Sequence, residues 1–395
     1  MSINSGIKVG IDTTLLLTNA DLKSQCFVNS IYVYMTEILD GMCETGHAGQ
    51  ITLFTYQWAE EHFRSRYPGV RIVCAGNKPG DLFNRVTGKN IYAKLNMDAN
   101  IIRTINACDV DVVWNPFVNQ WRGNVKHKFL ETLIDLTEYR DRTYKRNEFR
   151  ESFRKEAQAA DHIVTQTEHV KRDIMETFSL PGDRITAIPC AVEEPTIHQE
   201  KVEGVEPGFI LNVNAYREHK NQLTLIRAFD RIRDQFPGGL VLCGGGINDA
   251  YYERILQEIA GRHLEKRVHL YHMMPKPQIS WLYRHAVLFV NTSLLEGFGR
   301  TPIEASLTQT PVLTTRESCL YETTLGLVEY VSDPMDDKEY ADSMLRILKD
   351  GVSYDLQKVK EAYQKEYSPA SVAGRYWDAF EKLADPGRKK TGRVF

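Results

Sequence analysis

Two carboxylates around a glycine-rich bend form the clearest chemical pattern in this sequence. In the stretch LLEGFGRTPIEA, seven residues separate Glu296 from Glu304, and they include Gly297, Gly299 and Pro302. The apolar run VLFV precedes this stretch and predicts a β-strand, so that Glu296 follows a strand end. Glycine lets a backbone approach a ligand closely, and free N–H groups at a helix N-terminus bind anions. The pattern therefore predicts a ligand-binding bend between a strand and a helix.

The residue types in this bend suit hydroxyl groups and phosphate. A carboxylate accepts paired hydrogen bonds from vicinal hydroxyls, which a sugar ring and a ribose both display. An anion site flanked by two such acceptors fits a nucleoside diphosphate sugar. Two alternatives stay open. Thr301 and Glu304 also fit a capping box, with Thr301 as N-cap, Pro302 as first and Glu304 as third helical residue, and Glu296 also fits a solvated loop.

Short β-rich runs alternate with amphipathic segments along the whole chain, which is typical of parallel α/β domains. The predicted strands are 7–11, 51–55, 70–74, 110–114, 132–136 and 162–166, then 209–213, 239–243, 268–271, 287–291, 311–315 and 328–331. The predicted helices include 28–45, 90–108, 219–236, 250–262, 302–309 and 336–349. An acidic stretch with two prolines, 193–207, separates the two sets and reads as a linker.

We therefore predict an α/β protein with two Rossmann-like, doubly wound domains, over residues 1–195 and 205–366. A last helix, 369–385, is expected to pack on the first domain. Parallel sheets of this kind bind ligands beyond the carboxyl ends of their strands, so we expect the site in a cleft between the two domains.

Composition and charge narrow the function classes. The net charge of −3 argues against a nucleic-acid partner, which usually leaves a basic footprint. Seven scattered cysteines without a C-x-x-C pair favour a reducing, cytoplasmic location, and we find neither a signal peptide nor a membrane-spanning run. Asp109 and Asp111 form a D-x-D pair, but they lie at the amino end of a predicted strand, the edge away from the expected site, so we expect no metal there. The basic segment 139–155 fits peripheral contact with a membrane or, alternatively, an exposed salt-bridged helix.

The stretch LLEGFGRTPIEA resembles the E-G-F-G-x-x-x-x-E signature of retaining glycosyltransferases with the GT-B fold, in particular glycosyltransferase family 4. LNVNAYREHKNQLTLIRAF, LVLCGGG and CLYET resemble further segments of that family's nucleotide-binding domain. The resemblance covers nearly the whole second domain and, more loosely, the first. It implies an acceptor-binding first domain, a nucleotide-sugar-binding second domain, no cofactor and no metal.

The resemblance also implies roles for individual residues. Glu296 would contact hydroxyls of the transferred sugar, with backbone N–H groups of Gly297, Phe298 and Gly299. Thr301 belongs to the same donor-binding stretch, and Glu304 would hold the ribose hydroxyls. Lys220 would lie on the diphosphate, where a fixed cation stabilises the negative charge of the leaving group. Taken alone, Lys220 also fits a solvated lysine at a helix start.

The sequence departs from the family at two positions. Many members carry an arginine where this chain has Ala215, and Arg217 is the candidate to replace it because its guanidinium suits phosphate. Many members also carry a His-Asp pair in the first domain, where this chain reads Ile134-Asp135. Asp135 is kept as a catalytic candidate, whereas a histidine role at the anomeric carbon is in doubt.

Three hypotheses follow. The first is a retaining, metal-independent glycosyltransferase that moves a sugar from a nucleoside diphosphate to a hydroxyl of a sugar or lipid-linked saccharide, in polysaccharide or lipopolysaccharide synthesis at the inner face of the membrane. The second is a GT-B protein that binds a nucleotide sugar without catalysis and supports a partner transferase. The third is a glycoside hydrolase, which also needs two carboxylates.

Overall fold

The computed structural model describes residues 6–14, 30–75, 99–117, 124–136, 139, 147–247 and 250–385. The chain divides into two compact units. The first unit comprises Met1–Gln166, Val170–Ala191 and Pro369–Phe395, and the second comprises Thr167–His169 and Val192–Ser368.

Within the described residues, the first unit is built on a seven-stranded sheet in the order β3-β2-β1-β4-β5-β6-β7, and each strand pairs with its neighbours in parallel. The strands are β1 (Val9–Asp12), β2 (Ile51–Thr55), β3 (Arg71–Cys74), β4 (Val112–Asn115), β5 (Lys128–Thr132), β6 (His162–Thr165) and β7 (Ile185–Ala187). The residues of the inner strands are mostly buried, as expected for a parallel sheet covered on both faces, whereas the edge strands β3 and β7 are more exposed.

The helices in the described part of the first half of the chain are α1 (Ser30–Glu44), α2 (Gln57–Arg66), α3 (Ala99–Asn106), α4 (Asn147–Ala159) and α5 (Glu168–Phe178). The C-terminal helix α13 (Pro369–Ala384) completes this unit rather than the second one. Its Tyr376 is fully buried, contacts Trp114 at a ring-centroid distance of 4.8 Å, and shares a hydrogen bond with the hydroxyl of Tyr34 on α1. The chain end is therefore part of the core of the first unit.

The second unit has, within its described residues, a six-stranded parallel sheet in the order β10-β9-β8-β11-β12-β13. The strands are β8 (Phe209–Val213), β9 (Leu240–Cys243), β10 (Val268–Tyr271), β11 (Ala286–Val290), β12 (Val312–Thr314) and β13 (Glu329–Tyr330). The helices are α6 (Gln222–Ile232), α7 (Ala250–Gly261), α8 (Lys276–His285), α9 (Arg300–Leu307), α10 (Leu320–Thr323), α11 (Asp337–Asp350) and α12 (Leu356–Tyr367).

Apolar residues at helical spacing fix α6 against this sheet. Leu225, Phe229 and Ile232 share one face of the helix and are completely buried against the strand residues Ile210 and Leu288. Burial of each such side chain contributes about 1.5–3 kcal/mol relative to exposure. The loop that precedes α6 is thus held at the carboxyl edge of the sheet, which is the edge where the parallel strands end.

The two-domain parallel α/β architecture predicted from the sequence is confirmed, but two details of the first unit differ. The strand predicted at 132–136 lies at Lys128–Thr132, because the fully buried Glu131 interrupts its apolar pattern. The carboxylate of Glu131 accepts a hydrogen bond from Asn115 Nδ2 at 3.1 Å, on the neighbouring strand β4. Strand β7 is absent from the sequence prediction. Residues 90–98 of the predicted helix and 140–146 of the basic segment lie outside the described residues.

Candidate active site

An ion pair between Lys220 and Glu296 marks the carboxyl edge of the second sheet. Lys220 Nζ lies 2.6 Å from Glu296 Oε1, and the two side chains are only 15% and 10% exposed. Lys220 follows strand β8 and Glu296 follows β11, and these strands are direct neighbours in the sheet. The structure therefore brings together a cation and a carboxylate that lie 76 residues apart in the sequence.

Hydrogen bonds to backbone carbonyls hold the two loops in this arrangement. Thr292 Oγ1 donates to the carbonyl of Lys220 at 2.8 Å, and the N–H of Leu294 donates to the carbonyl of His219 at 2.8 Å. The next residue, Asn221, adopts a left-handed conformation with φ of 55° and is the N-cap of helix α6. The lysine side chain thus leaves a fixed turn, Glu218–Lys220, and not a mobile helix start.

Ser318, in the loop after β12, secures the backbone of Glu296 from both sides. Its hydroxyl donates to the carbonyl of Glu296 at 2.7 Å and accepts from the N–H of the same residue at 3.3 Å. Cys319 Sγ donates to the same carbonyl at 3.2 Å, and burial raises the pKa of this thiol, which therefore stays protonated. Ser318 has a φ of 56°, which is unusual for a residue with a side chain. The sequence analysis did not identify Ser318 as part of the site.

The capping-box interpretation of Glu304 is wrong. Helix α9 begins at Arg300, with Gly299 as its N-cap at φ 80° and no side-chain cap hydrogen bond. Because glycine adopts this left-handed conformation without strain, the helix begins earlier than predicted. Thr301 and Glu304 consequently occupy the second and fifth helical positions, where they do not form the reciprocal cap.

Glu304 contacts two residues of its own unit. Its Oε2 accepts a hydrogen bond from the hydroxyl of Tyr283 at 2.8 Å, and its Oε1 lies 3.5 Å from Arg300 Nε. Tyr283 lies on helix α8 and is buried. In the sequence Tyr283 has the spacing of an ordinary apolar helix residue, and this spacing does not predict that it contacts Glu304.

The bend between the two carboxylates is buried over Gly297, Phe298 and Gly299. The ring of Phe298 packs edge-on against Tyr367 of helix α12, with ring centroids 5.5 Å apart. This contact anchors the bend from within the unit. The donor contacts predicted for the three backbone N–H groups and for Thr301 stay predictions.

The glycine-rich turn after β9 packs closely on the loop that carries Arg217. A Cβ atom at Gly244 would lie 1.9 Å from the carbonyl oxygen of Asn214, so that only glycine fits there. The N–H of Tyr216 donates to the carbonyl of Gly245 at 2.7 Å. Arg217 is half-buried at the start of the turn that ends in Lys220, which places a second cation in the same loop.

His219 lies in this loop as well, and the sequence analysis assigned it no role. Burial and the neighbouring Lys220 lower the pKa of His219, whereas Glu296 raises it to a smaller extent. The imidazole is therefore neutral at pH 7, and the charge of the loop comes from lysine and arginine.

Asp135 belongs to the first unit, where it is half-buried in the loop that follows β5.

The D-x-D pair precedes β4 at the amino edge of the first sheet, as the sequence predicts. There Asp109 forms an ion pair with Lys8, and Asp111 accepts from the Lys8 backbone N–H at 2.7 Å. Across the part of the chain that the structure describes, no group of three or more histidine, cysteine or acidic residues could hold a metal ion. No helix in that part is long and apolar enough to cross a membrane.

The comparison with protein families covers the unit that holds Lys220 and Glu296. Residues 193–366 match the family profile of the glycosyl transferases group 1. The matched region contains both sheet-edge loops and the helix that carries Glu304.

Curated relatives are similar to parts of the chain. The O-antigen chain mannosyltransferase RfbU of Salmonella typhimurium is 26% identical over 210 residues, which cover 51% of this chain and 57% of that protein. The O-antigen chain mannosyltransferase B of Escherichia coli is 26% identical over 241 residues, covering 57% of this chain and 61% of that protein. The chain thus spans little more than half the length of these relatives.

Solved structures establish the fold. The Anabaena protein HepE, in complex with UDP and glucose, superposes with a TM-score of 0.68 at 13% identity, covering 95% of this chain and all of that one. Sucrose-phosphate synthase from Thermosynechococcus elongatus gives a TM-score of 0.69 at 16% identity, with coverage of 95% and 99%. The chain has the GT-B fold of these glycosyltransferases, with two Rossmann-like domains.

Proposed function

We propose that this chain is a retaining, metal-independent glycosyltransferase. It transfers a sugar from a nucleoside diphosphate to a hydroxyl of a sugar or lipid-linked saccharide, in the synthesis of a cell-surface polysaccharide. The observation that carries this proposal is the Lys220–Glu296 pair at the carboxyl edge of a parallel sheet, within the region that matches the group 1 glycosyltransferases.

The named relatives support the substrate classes. Two are O-antigen chain mannosyltransferases, which favours a saccharide acceptor and a role in polysaccharide assembly. HepE was crystallised with UDP-glucose, which favours a nucleoside diphosphate sugar as donor. We propose that the protein works in the cytoplasm, where nucleotide sugars serve as donors, and the membrane contact through 139–155 stays a prediction.

The pair supplies the two chemical functions that transfer requires. When the bond between the anomeric carbon and the diphosphate oxygen breaks, its electron pair goes to that oxygen, and Lys220 stabilises the resulting charge. Glu296 accepts hydrogen bonds from hydroxyls of the sugar and orients it. The acceptor oxygen then bonds to the same face of the anomeric carbon, and its proton passes to the departing phosphate.

Fixed cations and a helix N-terminus support catalysis without a metal. Lys220 and Arg217 share one loop, and the first N–H groups of α9 lie at the end of the glycine bend. Cationic side chains and helix N-terminal N–H groups stabilise the negative charge of phosphate, so that no metal ion is required for this purpose. Lys220 pairs with Glu296 in the structure, so that a bound diphosphate would displace the carboxylate from the lysine and release it toward the sugar.

A panel of nucleoside diphosphate sugars tests the proposal. A donor that binds the native state raises the melting temperature by mass action. The donor that does so is then incubated with saccharide acceptors, and NMR of the product reports whether the anomeric configuration is retained. EDTA in the assay tests metal independence.

The Glu296→Ala variant tests the assignment of the site. We expect it to remain folded, with a circular dichroism spectrum like that of the native protein, and to lose transfer. Full transfer activity in this variant would refute the role of Glu296. Inversion at the anomeric carbon would refute only the retaining mechanism. Loss of activity with EDTA would refute only the metal independence.

A further inference from the structure

The hydroxyl of Tyr283 is held in a fixed position beneath the site. The side chain is 1% exposed and its ring contacts that of Phe289, with centroids 5.8 Å apart. Its backbone carbonyl accepts a hydrogen bond from Thr310 Oγ1 at 2.6 Å. The hydroxyl donates to Glu304 Oε2 at 2.8 Å. A buried aromatic side chain restrained in this way presents its hydroxyl at one point.

This contact orients the carboxylate of Glu304. The Glu304 side chain keeps 22% exposure, and its second oxygen lies 3.5 Å from Arg300 Nε. Tyr283 engages Oε2 and Arg300 faces Oε1, so that each carboxylate oxygen has one neighbour within its own unit. A carboxylate offers about four lone-pair sites, so that the hydrogen bond from Tyr283 and the ion pair with Arg300 leave acceptor capacity for a ligand.

We infer that Tyr283 is a positioning residue for ribose recognition, which fixes the Glu304 carboxylate so that it accepts hydrogen bonds from the ribose hydroxyls of the donor. The inference rests on the proposed function, because it assumes that Glu304 holds the ribose. Hydrogen bonds to an ionised acceptor are short and strong, and a ligand group held in place before binding loses less entropy when the ligand arrives.

The hydroxyl of Tyr283 is protonated, and is therefore a donor, at neutral pH. Burial, followed by the negative charge of Glu304, raises the pKa of Tyr283 far above its ordinary value. The hydroxyl therefore stays protonated, and the proton it carries points to an acceptor-only group. Tyr283 consequently orients Glu304 as a neutral hydrogen-bond donor and does not repel the carboxylate.

The Tyr283→Phe variant removes this hydroxyl and keeps the ring. UDP and GDP are titrated by calorimetry, and the nucleotide that binds the native protein is used throughout. We expect the Kd of the variant to rise about fivefold. The hydrogen bonds between Glu304 and the ribose are expected to be weaker when Tyr283 no longer holds the carboxylate in place. Tyr363→Phe is the matched control, because Tyr363 is equally buried and donates to the backbone carbonyl of Thr324 at 2.8 Å.

The 2′,3′-dideoxy form of the same nucleotide separates positioning from stability. It lacks both ribose hydroxyls, so that the native protein and Tyr283→Phe should bind it with equal Kd, whereas a general loosening of the fold would weaken both nucleotides in the variant. The Tyr363→Phe control should bind the ribonucleotide like the native protein.

The outcomes distinguish the two claims. If the native protein binds the nucleotide and Tyr283→Phe binds it equally well, or loses affinity for the dideoxy form to the same degree, the inference about Tyr283 is refuted alone. If the native protein binds no nucleoside diphosphate, the proposed function falls and takes this inference with it.

Discussion

Removing the charge of Glu296 should strengthen the binding of a nucleoside diphosphate while it weakens sugar transfer. Lys220 is engaged by Glu296 at 2.6 Å, so that a diphosphate must compete with the carboxylate for the lysine. The Glu296→Gln variant removes this competitor. A nucleoside diphosphate without its sugar loses no contact with Glu296, since the predicted contacts of Glu296 are with the sugar.

The separation and burial of the pair set the size of the effect. Two unit charges 2.6 Å apart attract by about 6 kcal/mol at an effective dielectric constant of about 20. Desolvation of two side chains that are 15% and 10% exposed offsets most of this attraction. A net pair energy of about 1 kcal/mol, at the upper end of measured ion pairs, corresponds to an about fivefold lower Kd in the variant.

Calorimetric titration of UDP or GDP measures this Kd, and steady-state kinetics measure the opposite effect on transfer. We expect kcat/KM to fall about 100-fold, because the sugar is no longer oriented. Glu218→Gln is the matched control: it removes the same charge from the same loop, but Glu218 is 70% exposed and pairs with Arg254. Its Kd should change less than about twofold. A Kd that is unchanged or higher in Glu296→Gln, or an equal gain in Glu218→Gln, would show that the pair does not compete with the diphosphate.

Three further changes have expected outcomes. Ser318→Ala removes both hydroxyl bonds to the Glu296 backbone, and kcat should fall about tenfold with little change in donor KM; an unchanged kcat would contradict the positioning role. Gly299→Ala places a Cβ at φ 80° and 2.6 Å from Leu320 Cδ2, so that the unfolding free energy should fall by about 1–3 kcal/mol in urea titration. Burial lowers the pKa of His162 from 6.5 to about 4. Between these values the unfolded chain binds a proton that the folded state excludes, so stability should fall as pH decreases, by at most about 1.4 kcal/mol per pH unit. His162→Gln should flatten this part of the profile, and identical pH profiles would refute the assignment.

Local patterns in the sequence were sufficient for the architecture. Apolar runs of strand length alternate with amphipathic segments, and this alternation predicts parallel α/β domains because each strand must be covered on both faces. Most of the predicted strands of the second unit agree with the structure to within a residue or two. The strand predicted at 132–136 was wrong because Glu131, a buried charge with an amide partner on the next strand, breaks the apolar pattern.

The sequence also indicated which residues could do chemistry, since a carboxylate pair, glycines and a nearby lysine are recognisable by type and spacing. It could not indicate their partners. Whether Glu304 caps a helix or accepts from another side chain depends on where α9 begins, and that depends on the left-handed conformation of Gly299.

The sequence by itself thus determined the fold class, the glycine bend and the presence of Glu296, Glu304 and Lys220. Only the tertiary structure decided that Lys220 pairs with Glu296, that Ser318 holds the Glu296 backbone and that Tyr283 holds Glu304. The physical reason is that periodicity and propensity act between near neighbours in the chain, whereas these contacts join loops from different strands. Strand order and register bring such loops to one edge of the sheet, and no local pattern encodes which side chains then meet.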